Sequence, residues 1–320
     1  MARTSTTWLE IDQVHCGDAP ALIEQIAPES IALSVWSPPY HVGKKYEEEN
    51  TFGDWQQLLQ KTIAAHHRVL KKGGFLVVNI ADIQCFKDES IPKIQAPNVA
   101  LLKSPVTRED VLRAKEEHPD YNRYQLAALL KCSEQTIDRR LNGNNIRGGK
   151  YSTQTRVQLV GHFIDRFAYD AGLYLYDRRI WVKDPTWANS QWHSNSYRSV
   201  SEYEDLYVFW KPGETIVDRN RLESREWSTW GSRQVWQFPS VRTNDDHEAK
   251  FPLELPRRFI RLLTAEGDTV LDCFMGSGTT AIAALLEGRH FIGIDITPEY
   301  VQLARKGIAK ALGDVKAQLF

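Results

Sequence analysis

The feature that most narrows the fold is the turn Asp272-Cys273-Phe274-Met275-Gly276-Ser277-Gly278-Thr279-Thr280, set between an apolar run, Thr269 to Cys273, and a helical run ending near Glu287. Glycines where a strand feeds a helix let backbone N–H groups and the helix start approach a ligand closely. The next apolar run, Phe291 to Ile294, reads as a strand, and Asp295 closes it where a carboxylate can accept the hydroxyls of a ribose. Together these describe an adenosine-type site on an open α/β sheet. The turn has the form F-x-G-x-G, without the third glycine of a dinucleotide fingerprint or the Lys-Ser/Thr of a P-loop, which argues against NAD and ATP.

The N-terminal part has the same rhythm. Val14 to Cys16 and Ile31 to Trp36 read as short strands with a helix around Ala21 to Ile26, and Trp55 to Leu70 has helical spacing before a strand at Phe75 to Ile80. Helical spacing is expected again over Val157 to Tyr169, then strands at Leu173 to Val182 and Leu206 to Trp210 and a helix at Leu255 to Leu263. A chain of 320 residues with 42% hydrophobic content can bury one α/β core and carry a smaller module besides.

Ser37-Pro38-Pro39-Tyr40 directly follows the strand Ile31 to Trp36, at the end where open α/β sheets bind ligands. Two prolines fix φ and donate no hydrogen bonds, so the carbonyls around them are held as acceptors. An aromatic amine such as N4 of cytosine is a poor nucleophile because its lone pair is delocalised into the ring. Acceptance of its two hydrogens by the Pro38 carbonyl and the Ser37 side chain lets the nitrogen pyramidalise toward an electrophile. Tyr40 offers a face on which an extruded base can stack.

These two motifs, with the tetrapeptide first and the glycine turn near the end, resemble the beta class of DNA amino-methyltransferases. Further segments extend the resemblance: Cys16-Gly17-Asp18-Ala19, His247-Glu248-Ala249-Lys250-Phe251-Pro252, Leu70-Lys71-Lys72-Gly73-Gly74 and Ile180-Trp181-Val182-Lys183. The resemblance implies a Rossmann-like α/β fold, circularly permuted, with S-adenosyl-L-methionine as cofactor and double-stranded DNA as substrate. It implies that Asp18 holds the cofactor's adenine and that Lys250, Phe251 and Pro252 line its methionine end, beside Asp272, Phe274, Gly276, Gly278, Thr279 and Asp295. Ser37, Pro38, Pro39 and Tyr40 are the implied catalytic residues. Members with serine at the first tetrapeptide position usually favour cytosine N4 over adenine N6, so cytosine N4 is expected and adenine N6 is the alternative. The chain departs from the family at Cys273, where proline is common, and at Phe251, where a shorter Lys-Pro is common. Cytosine-C5 methylation is disfavoured because it needs a nucleophilic cysteine typically next to proline, and none of Cys16, Cys85, Cys132 and Cys273 precedes one.

Residues 104–152 break the α/β pattern and read as an insertion between a catalytic half at 1–103 and the remainder at 153–320, in which about 184–246 is the expected target-recognition region and 247–320 the cofactor half. Within the insertion Leu126 to Leu141 looks like a helix-turn-helix, with Leu126, Leu129, Leu130, Ile137 and Leu141 inside and Ser133 capping the second helix. Gln135, Thr136, Arg139 and Arg140 are then expected to face outward toward DNA, with Arg147 and Lys150 in reach of phosphates. The alternatives are a hairpin that only packs on the catalytic domain, or a DNA-binding regulator whose methyltransferase domain is silent. The stretch from Trp181 to Trp236 holds most of the ten tryptophans, interleaved with Arg219, Arg221, Arg225 and Arg233, a pattern suited to stacking and phosphate contact as well as to a core.

The 40 Lys+Arg nearly cancel the 41 Asp+Glu, so a uniformly basic coat is excluded and DNA contact must rest on local clusters. No apolar run suits a signal peptide or a membrane span, so a cytoplasmic protein is the default, and widely spaced cysteines suggest neither zinc nor disulfides. The three carboxylates Glu47 to Glu49 read as a solvated loop, and His66 and His67 as surface or packing residues. A cognate restriction endonuclease is a partner the family suggests; the oligomeric state is not legible.

Overall fold

The computed structural model describes residues 8–40, 51–92, 94–97, 104–142, 150–153, 155–185, 199–241 and 251–318. Two compact units are present, a larger one formed by Met1–Phe86, Val157–Trp187 and Val200–Phe320, and a smaller one built around Lys87–Arg156.

The larger unit holds an eight-stranded sheet. Its strands, in chain order, are β1 (Gln13–Cys16), β2 (Ile31–Trp36), β3 (Leu70–Ile80), β4 (Tyr174–Val182), β5 (Tyr203–Trp210), β6 (Val235–Gln237), β7 (Thr269–Asp272) and β8 (His290–Asp295), and their spatial order is β1-β8-β7-β2-β3-β5-β4-β6. All neighbours are parallel except β5, which runs antiparallel to both β3 and β4. Residues alternate between two cores, because successive side chains on a strand point to opposite faces. Trp36, Leu76 and Val78 enter one core with helices α1 (Ala19–Ile23), α2 (Phe52–Val69) and α6 (Gly161–Asp170); Leu33, Val35 and Val77 enter the other with α7 (Glu254–Leu263), α8 (Thr279–Leu286) and α9 (Pro298–Gln318). Helix α2 starts at a reciprocal capping box between Thr51 and Asp54, which satisfies two backbone donors at its N-terminus.

The smaller unit contains α3 (Arg108–Glu117), α4 (Arg123–Leu129) and α5 (Glu134–Asn142), closed around Val106, Val111, Ala114, Leu126, Ala127 and Ile137. Helix α3 went unread in the sequence because its apolar positions are few; a capping box between Thr107 and Asp110 starts it. The run expected as one helix over Val157 to Tyr169 is instead a short strand, Thr155–Gln158, and then α6, since Gly161 falls where that helix begins. Among the described residues no helix is long and apolar enough to cross a membrane.

Candidate active site

Four adjacent parallel strands, β1, β8, β7 and β2, end at one edge of the sheet, and each delivers residues singled out in the sequence. From β7 the chain passes through α8 to β8 on one side, while from β2 it passes through α2 to β3 on the other. The chain thus departs from neighbouring strands in opposite directions, which opens a crevice at their carboxyl ends.

The turn after β7 is held by two carboxylates. Asp295 Oδ2 accepts from Gly276 N (2.8 Å) and Oδ1 from Thr297 N (2.9 Å). Asp272 accepts from the Thr280 hydroxyl (2.6 Å) and Phe274 N (3.0 Å), and its burial pushes the carboxyl up to about 7. Asp272, 1% exposed, therefore shapes the turn from inside, and Asp295, at 9%, is buried beside it. Gly278 has φ +89° and caps α8; a Cβ there would stand 3.1 Å from Ala304. Asp18 follows β1, where Gly17 N donates to the Asp295 carbonyl (3.0 Å), and one Asp18 oxygen caps α1 through Ala21 N (3.2 Å). Phe251 packs against the core under α7 and Pro252 leads into that helix, while Lys250 lies outside the described residues. Bare glycine backbone flanked by Asp295 and Asp18, in a turn with no lysine or arginine, suits the hydroxyls and amine of a nucleoside better than a phosphate chain. The residues present fit S-adenosylmethionine in this respect.

The tetrapeptide stands on the neighbouring strand end. Trp36, just before it, meets Phe274 of the turn edge-on with ring centroids 5.3 Å apart, so the two motifs adjoin. The Pro39 carbonyl is taken by Trp55 Nε1 (2.7 Å), which pins the loop to α2. Of the two proline carbonyls this leaves that of Pro38, which has no partner among the described residues. Ser37 Oγ lies 2.7 Å from Tyr40 OH and 2.9 Å from the Asn79 carbonyl, and Tyr40 OH donates to Glu204 Oε2 at 2.8 Å. Asn79 Nδ2 donates to the same Glu204 oxygen (2.8 Å), and Lys183 Nζ pairs with the other.

Asn79 and Glu204 were not anticipated. Glu204 comes from β5, where the only local hint is an acidic pair, Glu204-Asp205, in an otherwise apolar strand; the antiparallel register that sets it opposite Trp181 is invisible in the sequence.

His66 is fully buried beneath this edge, the packing role of the two expected for it. Its Nδ1 can only donate to the Thr62 carbonyl (2.6 Å), so Nε2 is the acceptor for the Trp36 indole (3.3 Å) and, at 2.9 Å, one of two acceptors for the single Ser34 hydroxyl hydrogen. Ser34 Oγ also reaches the Leu271 carbonyl of β7 (3.1 Å), which ties the two central strands together. Burial pushes the His66 imidazole down to about 4.

In the smaller unit α4 and α5 form the expected pair, with Ser133 Oγ accepting from Thr136 N (3.2 Å). Leu126 and Ile137 are buried and Leu130 and Leu141 half-buried, but Leu129 is 45% exposed and does not join the core. Gln135 and Arg139 are exposed and Thr136 is half-buried. Arg140 is turned inward, its Nε donating to the Val106 carbonyl (2.9 Å) that the packing of α3 places beside it. Arg147 and the side chain of Lys150 lie outside the described residues, as do Glu47 to Glu49 and residues 186–198 of the tryptophan-rich stretch. Much of the Trp/Arg interleaving is structural: Arg258 stacks on Trp230 and Trp236, and Arg179 on Trp236, inside the second core.

Fold and crevice together define a Rossmann-like methyltransferase, and comparison with known proteins narrows this. The model of a DNA methylase family, covering both N6 and N4 enzymes, matches residues 31–306. The Type II methyltransferase M.BglI of Bacillus subtilis is 61% identical over 302 residues, which cover 94% of this chain and 87% of that protein. In fold, the chain is similar to the PvuII cytosine-N4-specific DNA methyltransferase (TM-score 0.61, 17% identity, 96% of this chain and 93% of that one). It is likewise similar to a Thermus thermophilus protein solved with S-adenosyl-L-methionine (TM-score 0.60, 24% identity, 93% of each chain). The chain belongs to this DNA methylase family and is an S-adenosylmethionine-dependent DNA methyltransferase.

Proposed function

We propose that the protein methylates the exocyclic N4 of a cytosine swung out of double-stranded DNA, at a specific sequence and beside a cognate restriction endonuclease. The observation that carries the base assignment is Ser37 at the head of the tetrapeptide, next to the cofactor turn. The cofactor, when bound at Asp18, Gly276, Gly278, Thr279 and Asp295, supplies a methyl group on a positively charged sulfur. The Pro38 carbonyl and Ser37 Oγ accept the two amine hydrogens and orient the nitrogen lone pair. Tyr40, fixed through its hydroxyl by Glu204, presents its ring as the stacking platform for the extruded base. Gln135 and Arg139, the exposed residues on α5, are the DNA-reading groups of the smaller unit, with Thr136 beside them.

Incubation of the purified protein with S-adenosylmethionine and unmethylated mixed-sequence DNA, followed by digestion to nucleosides and mass spectrometry, tests this. N4-methylcytosine is the expected product. N6-methyladenine would preserve the chemistry but overturn the base, and no product would favour the regulator with a silent domain.

A further inference from the structure

The bonds around Tyr40 form a directed chain. Ser37 Oγ is within donating distance of Tyr40 OH (2.7 Å), and Tyr40 OH donates to Glu204 Oε2 (2.8 Å), so a continuous path of hydroxyl protons leads to Glu204. Glu204 is 6% exposed, and its two oxygens also accept from Asn79 Nδ2 and Lys183 Nζ. Burying a carboxylate is costly unless it is well partnered, and a neutral acceptor could orient the Tyr40 hydroxyl alone.

We propose that Glu204 is the terminal proton acceptor of the methyl transfer, reached through Ser37 and Tyr40. The proposal rests on the amino-methylation reading above. As the exocyclic nitrogen forms its bond to the methyl carbon, the carbon–sulfur bond breaks and its electron pair goes to sulfur. The nitrogen is left cationic with one proton in excess. That proton moves to Ser37 Oγ while the serine proton moves to Tyr40 OH and the tyrosine proton to Glu204 Oε2. Each hydroxyl ends as it began, and Glu204 ends neutral. An alkylated exocyclic nitrogen cation is a far stronger acid than a carboxylic acid, so the transfer runs downhill. Neutral Glu204 leaves Lys183, whose side chain is only 16% exposed, without its counter-charge, and this drives release of the proton to solvent before the next turnover. The single Ser37 hydrogen has a second acceptor, the Asn79 carbonyl at 2.9 Å, so the chain conducts in the rotamer directed at Tyr40. Glu204 is thus a positioning and proton-accepting residue that never touches the base.

Single-turnover methylation of unmethylated plasmid DNA at saturating cofactor, with Glu204→Gln, Tyr40→Phe and the double variant, tests this. Each single change is expected to slow the step by about a hundredfold, the lower end of the range for general acid–base catalysis. The double variant should be no slower than the slower single one, because both cut the same chain. Calorimetric affinity for S-adenosylhomocysteine, which involves no turnover, should match the wild type in all three, and Glu204→Asp should recover part of the rate. Losses that multiply, or a wild-type rate in Glu204→Gln, overturn the proposal. Should Glu204→Gln fail to fold, Tyr40→Phe, which removes one hydroxyl, decides alone: a wild-type rate there overturns it equally. A wild-type protein that methylates no DNA refutes the amino-methylation reading and this proposal with it.

Discussion

The turn after β7 is shaped from close by in the chain. Asp272 holds Phe274 and Thr280 within one strand-to-helix junction, and Asp295, at the end of the next strand, holds Gly276. The loop after β2 is pinned by Trp55 of the helix that follows it, but its two hydroxyls are held from farther away, Ser37 by Asn79 and Tyr40 by Glu204. The difference follows from what each half must do. The hydroxyls expected of the cofactor can be met by a compact backbone motif, whereas the acceptors proposed for the amine are aligned by groups from several strands. The first half should therefore fail through binding and the second through rate.

The largest effect is expected at Asp295. Asp295→Ala removes the acceptor of two backbone N–H groups that shape the turn and, on the proposed reading, the ribose contact; at about 1.5–3 kcal/mol per hydrogen bond to a charged group the cofactor Kd should rise on the order of a hundredfold or more. Titration calorimetry with S-adenosylhomocysteine reads this directly. Tyr40→Ala should act on the other half: stacking worth about 1–3 kcal/mol per base should be lost from the methylation rate, while cofactor Kd stays within about threefold. Equal loss of cofactor affinity in both variants would erase the distinction between the halves.

The smallest effect concerns the seam between them. His66, which links Ser34 and Trp36 of β2 beneath the crevice, is held near 4 when folded against an ordinary 6.5, so the unfolded chain binds the extra proton more readily. Its contribution is intact above 6.5 and is lost as pH falls toward 4, amounting to about 1 kcal/mol between pH 7 and 5.5. Asp272 runs the opposite way: raised to about 7 from 3.8, it favours the folded state increasingly as pH falls across the same window. The two slopes offset in the wild type, so the comparison that matters is urea denaturation of His66→Gln against wild type. The variant should gain relative stability on acidification, and parallel curves would show that His66 titrates as it does in the unfolded chain.

Helix α5 illustrates why only part of the smaller unit was legible. The spacing of Leu126, Leu130 and Ile137 places them inside whatever they pack on, since helical periodicity is a property of the chain alone. Arg140 looks as outward as Arg139 on that pattern, yet α3 brings the Val106 carbonyl to it, and the same packing leaves Leu129 exposed. His66 was unreadable for a similar reason, because a histidine on an amphipathic helix carries no local sign of the two strands that will bury it.

By itself the amino-acid sequence determined the α/β class, the glycine turn with Asp295, the rigid tetrapeptide and the family they identify, because these depend on dihedral freedom, hydrophobic period and side chains near one another in the chain. Only the tertiary structure decided that Asp272 is internal to its turn, that the Pro39 carbonyl is spent on Trp55, and that Glu204 completes the pocket around Tyr40. The first two depend on how a turn and a helix settle against the core, and the third on strand order and antiparallel register, which join distant parts of the chain.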